Sequence, residues 1–69
     1  MGLIKYSLDY SSLSEEQEII SLLNRINKYS FNGAFTNPHL KQCEFFIERL
    51  EIIDLINVPD SCYLKKLNR

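Results

Sequence analysis

Among 69 residues there are only two cysteines, two glycines, two prolines and one histidine, and no tryptophan. Two cysteines, Cys43 and Cys62, fall far short of the density that holds a small secreted scaffold together, which points to a reduced, cytoplasmic chain with unpaired thiols. Neither sign of charge dominates. Eight basic and nine acidic residues nearly cancel, so no long-range field draws the molecule to nucleic acid or to an anionic lipid surface. No apolar run approaches the roughly 20 residues that span a bilayer, and the start, Met1-Gly2-Leu3-Ile4-Lys5-Tyr6, lacks the apolar stretch of a signal peptide. Tyr6 also stands where a myristoylation motif at Gly2 needs Ser or Thr. Internal repeats, low-complexity stretches and nucleotide-binding motifs are absent. A chain of this length has room for one domain, residues 1–69, and buries only about 60% of its unfolded surface.

What is present is apolar patterning. Ile4, Tyr6, Leu8 and Tyr10 alternate with Lys5, Ser7 and Asp9, the period of a half-buried strand, within an N-terminal arm of residues 1–13. Such a strand needs a partner, from elsewhere in the chain or from a second copy. Ser14 with Gln17 three residues on is a capping-box pattern, and Glu15, Glu16 and Glu18 suit a helix N-terminus. Ile19, Leu22, Leu23 and Ile26 then follow one helical face, with Ile20 and Tyr29 at its edge. Gly33 supplies a left-handed stop, and Asn37-Pro38 supplies a cap and a preset first turn. A second helix is expected from Pro38 to Asn57, with Leu40, Cys43, Phe46, Ile47, Leu50 and Ile53 along one side, closing a helical hairpin over residues 14–57. It ends before Pro59, because Val58 as a pre-proline residue leaves the helical region. Residues 58–69 predict a short third helix capped by Asp60. The alternative for this segment is an extended Cys62-Tyr63-Leu64 paired with the first strand. The fold class expected is therefore mainly α, with α+β, including a strand-helix-helix dimer, as the alternative.

Side chains with chemistry are few. His39 and Cys43, four apart, have the spacing of two ligands on one helix face, but a zinc site needs two more, and only Cys62 and Asp60 are on offer. No base stands beside either thiol for nucleophilic catalysis. No catalytic residue, metal ligand or cofactor is assigned, and the chain is read as no enzyme. Glu44, Glu48 and Glu51 line the expected second helix beside Lys41 and Arg49, as a solvated face or a docking surface for a basic partner. Lys65, Lys66 and Arg69, with Tyr63 alongside, form the one basic cluster and suit a helix C-terminus.

The order strand, helix, helix resembles that of ribbon-helix-helix repressors, whose dimers insert the polar strand face into the major groove. Lys5, Ser7 and Asp9 would be that face here, and an aspartate among reading positions suits DNA poorly. The join with Thr36-Asn37 and Leu50-Glu51 resembles small regulators linked to biofilm and acid resistance. Phe35-Thr36 with Arg49-Leu50 is similar to the hairpin phosphatases of the sporulation phosphorelay, but Glu44 and Glu48 stand where that family has Ser and Asp, so no activity carries over. These partial likenesses are mutually incompatible and identify no family. The functional expectation is a small bacterial or phage interaction module, acting as a regulator, inhibitor or adaptor by covering another protein or its own copy. Its expected contact residues are Phe31, Phe35, Phe45, Ile52, Leu55 and Ile56, with Glu44 and Glu48, and its alternative is a ribbon-helix-helix-like DNA-binding regulator or antitoxin. Neither nucleic acid nor a membrane is the partner expected on the first reading.

Overall fold

The computed structural model describes residues 2–67. The expectation of a mainly α fold is overturned: the chain is α+β. Its order is β1 (Ile4–Asp9), α1 (Glu16–Tyr29), β2 (Phe35–Asn37), β3 (Gln42–Ile47), α2 (Ile52–Ile56) and β4 (Tyr63–Leu67). The strands form one sheet in the order β2-β3-β1-β4, antiparallel throughout. Because β1 and β2 both run antiparallel to β3, they are parallel to each other with β3 between them. Likewise β3 and β4 are parallel with β1 between them. The fold is thus two interleaved split β-α-β units.

The first strand behaves as its alternation requires. Tyr6 and Leu8 are buried, as is Tyr10 just beyond the strand, while Lys5, Ser7 and Asp9 point to the other face. Its partners come from the chain itself, with Tyr6 opposite Phe45 and Leu8 opposite Cys43 on one side, and Leu8 opposite Leu64 on the other. Both edges of β1 are therefore filled. A strand-helix-helix dimer of the ribbon-helix-helix type is incompatible with this, since it needs β1 free to pair with its own copy.

Helix α1 ends at Tyr29, where the Ser30 N–H donates to the Ile26 carbonyl at 2.9 Å. The residue that closes the helix, Ser30, is extended (φ −82°, ψ 159°), so the left-handed stop expected at Gly33 is not what ends it. Asn32 (φ 64°) and Gly33 (φ 82°) are left-handed further on, in the turn toward β2. At the other end the cap is Glu15 rather than Ser14, with no side-chain capping bond.

The expected second helix and hairpin over 14–57 do not form. Asn37-Pro38 opens a turn instead of a helix: the Asn37 Oδ1 accepts the Leu40 N–H at 3.3 Å, and Lys41 turns left-handed at φ 54°. The chain reverses into β3, where Cys43, Phe45 and Ile47 are buried and Gln42, Glu44 and Phe46 are not. Helix resumes only over Ile52–Ile56, closed by Asn57 at φ 57° before Val58-Pro59. The expected C-terminal helix is also absent among the described residues, because Tyr63–Leu67 takes the extended alternative and pairs with β1.

The core lies between the helices and one sheet face. Leu22 and Ile26 of α1 and Ile52 and Ile56 of α2 meet Tyr6, Leu8, Cys43, Phe45 and Ile47 of the strands. The Tyr6 and Phe45 rings stack at 5.9 Å across the β1–β3 pair. Arg25 ties the helices together. Its Nε donates to the Ile56 carbonyl at 2.7 Å and its Nη2 to the Asn57 carbonyl at 3.2 Å, satisfying two carbonyls at the end of α2.

Candidate functional site

Both helices sit on one side of the sheet, so alternate strand residues face the other side, where no element of the described residues covers them. Cross-strand pairing sets the rows. Asn37, Gln42, Asp9 and Tyr63 form one, Phe35, Glu44, Ser7 and Lys65 the next, and Phe46, Lys5 and Leu67 the third.

Three aromatic rings stand on this open face: Phe35 is 85% exposed, Tyr63 65% and Phe46 38%. At roughly 200 Å² per aromatic side chain they present about 400 Å² of ring surface to water, divided between Phe35 and Phe46 on the β2–β3 side and Tyr63 at the β4 edge. Phe35 is turned outward by register, since it pairs with Glu44 on the open face, and at the sheet edge none of the three β2 side chains is buried. Phe46 is committed by its neighbours, since the alternation that buries Phe45 and Ile47 turns it out.

Around Phe35 and Phe46 the surface dips into a depression of about 560 Å³, walled by Leu3, Phe31, Ala34, Phe35 and Phe46 and crossed by Lys5 and Glu44. Phe31 reaches it from the end of α1, held by its N–H donating to the Phe46 carbonyl at 2.7 Å. Ala34 is fixed by its N–H donating to the Asn27 Oδ1 at 3.0 Å. Lys5 carries both a charge and a ring contact, with its Nζ 3.2 Å from Glu44 Oε1 and 5.6 Å from the Phe46 ring centre. The charges of the face balance, Lys5 and Lys65 against Asp9 and Glu44. The Asp9 carboxyl is held below its ordinary pKa, first by the Ser11 hydroxyl at 2.6 Å and then by the Ser11 N–H, so it stays ionised.

The residues expected to bind a partner are thereby divided. Phe31, Phe35 and Glu44 come together on this face. Phe45, Ile52 and Ile56 do not, because the core takes them, with exposures of 1%, 9% and 0%. Leu55 is exposed on α2, and Glu48 is exposed in the turn after β3, both outside the depression. Phe46, Tyr63 and Lys5 stand on the same face and are not among the expected partner-binding residues; the signal that places them there is cross-strand pairing rather than helical spacing.

The other candidates are placed as plainly. His39 lies in the β2–β3 turn and Cys43 in the core, so the helical spacing that would have made them joint ligands does not exist. Among the described residues no cluster of three or more His, Cys, Asp or Glu is arranged to hold a metal ion. Both thiols are free, and burial, then the Glu44 charge, pushes Cys43 up to about 11, which keeps it protonated and unreactive. Lys65 and Lys66 project to opposite faces of β4, so the basic cluster is divided, and Arg69 lies outside the described residues. No helix among the described residues is long and apolar enough to cross a membrane. Comparison with known proteins returns no matching family model, no matching curated protein and no matching solved structure.

Proposed function

We propose that this chain is a non-enzymatic protein-binding module that works by covering a polypeptide surface with the open face of its sheet, as a regulator, inhibitor or adaptor does. The observation that supports it is the grouping of Phe35, Phe46 and Phe31 around one shallow apolar depression, with a balanced pair of charges across it. Rings anchored on a rigid strand bind with little loss of conformational entropy, and they are the usual energetic centre of protein contacts. The balance of charge favours a polypeptide over a nucleic acid, whose phosphates call for an excess of lysine and arginine.

Photo-crosslinking tests the reading. Benzoylphenylalanine at position 35 should give polypeptide adducts on irradiation in cells, and excess wild-type chain should compete them away where the Phe46→Asp chain does not. The same probe at position 55, exposed on α2, should give few. Equal labelling at both positions, or none at 35, would remove the open face as the contact surface.

A further inference from the structure

Resting on the reading that the open face is the contact surface, we propose that its occupant is a second copy of this chain, packed face to face about a two-fold axis running along the strands between two sheets. The argument is register. In the order β2-β3-β1-β4, that axis exchanges β2 with β4 and β3 with β1 while keeping each residue at its own level. Phe35 and Lys65 share a level at opposite edges, so the exchange lays Lys65 of one copy over the Phe35 ring of the other. Phe46 and Lys5 share the next level, and the exchange lays Lys5 over Phe46. Each is a cation above an aromatic face. Gln42 and Asp9 are exchanged in the same way, an amide donor against an ionised carboxylate, and Glu44 meets Ser7.

No like charges are set opposite each other by this axis. An axis across the strands through the middle row would instead hold each strand over itself, with Lys65 on Lys65 and Glu44 on Glu44, and these directly opposed like charges offset the one favourable charge exchange it makes, Lys5 over Asp9. The pattern of the face therefore selects one of the two aligned ways in which it can meet itself. Its size is sufficient for a reversible dimer. The three rings of each copy contribute about 800 Å² between them before their aliphatic and polar neighbours are added, against the roughly 1,200 Å² at which stable association begins.

Sedimentation equilibrium of the full chain should give twice the chain mass at high concentration, and Phe35→Asp should weaken the association at least tenfold. Register is read in a Cys62→Ser background with a short bismaleimide. An equimolar mixture of Phe35→Cys and Lys65→Cys chains should cross-link into a dimer on a denaturing gel, and either chain alone should do so poorly. A monomer mass throughout the concentration range, or adducts between two copies of position 35 as abundant as the mixed ones, would overturn the proposal. Should the chain be monomeric while the benzoylphenylalanine at 35 still captures another polypeptide, the contact surface stands and the second copy falls. Should that probe capture nothing either, both fall.

Discussion

The same four strands build two faces that follow opposite rules. On the helix side every large side chain of β3 and the middle of β1 is buried, and among the described residues no polar or charged residue is buried with them. Side chains one position along the same strands stand in water as a mixture of rings and charges. Neighbours in sequence thus belong to different energetic worlds: Phe45 is a packing residue and Phe46 a surface one, separated by a single pleat. The lesson is that excess apolar surface on this small protein is located by strand alternation and by which face the helices choose.

The sharpest test of that division is to truncate the two phenylalanines separately. Phe45→Ala should cost about 3–5 kcal/mol, since it empties the centre of the core and ends the stacking with Tyr6. For a domain of this size that is about the whole stability, so urea titration followed by circular dichroism should show a chain unfolded or nearly so in buffer. Phe46→Ala should cost less than about 1 kcal/mol, as expected for a surface position. Equal costs would break the comparison. Next in size is Arg25→Ala, which strips two carbonyls at the end of α2 of their donor. Such charge-assisted bonds contribute about 1.5–3 kcal/mol each, and with one of the two exposed the expected loss is about 2 kcal/mol, with protection from hydrogen exchange falling first in Ile52–Ile56.

The helix face also carries an alkaline pH signature, whereas the shifted group of the open face, Asp9, acts on the acid side. Burial raises the Cys43 thiol from 9.0 to about 11, and burial, then Cys43, raises Tyr10 in the same direction. A raised folded pKa means that the unfolded chain releases its proton first. The stability from these groups is whole below about pH 9 and declines as the pH climbs toward 11. Thermal midpoints measured across that window should fall, and Cys43→Ala should flatten the fall while leaving the part due to Tyr10. A slope unchanged by that substitution would mean that the thiol is not held as the core geometry requires.

How much of this could be read in advance depends on which residues carry the signal. Alternation in Ile4–Asp9, the left-handed conformation of Gly33 and the break before Pro59 all predict what the chain does, because each is a local steric preference that tertiary packing does not need to override. The error began at Cys43-Glu44-Phe45-Phe46-Ile47. Cys43, Phe46, Ile47 and Leu50 sit at helical spacing, whereas Cys43, Phe45 and Ile47 sit at strand spacing, and a short apolar run fits both. Pairing decides it. The lone strand β1 needs neighbours, and β3 and β4 satisfy its backbone on both sides. Phe46, the exposed ring that fits the helical spacing, also stands on the open face, so the helical expectation and the omission of Phe46 from the candidate residues have one origin. Phe31, Phe35 and Glu44 were legible as candidates for a contact face, the two rings because surplus aromatics on a short chain must go somewhere and Glu44 as one of a run of acidic residues. Tyr63 and Lys5 were not, since only the register brings them onto the same face.

The smallest effect expected on folding is the one that separates folding from association most cleanly. Lys5 and Glu44 form an ion pair at 3.2 Å with side chains 41% and 49% exposed. Such a pair contributes little to stability, typically under about 1 kcal/mol, so Glu44→Gln should move the urea midpoint hardly at all. Glu44→Lys should also leave the chain folded, because position 44 points away from the core. It would nevertheless place a third cation beside Lys5, on a face whose charges balance in the wild type. If the open face binds through that balance, the reversal weakens association at least tenfold in sedimentation while the circular dichroism and midpoint stay as they were. Loss of fold and association together would instead show that the two faces are not independent, and the division between them would have to be redrawn.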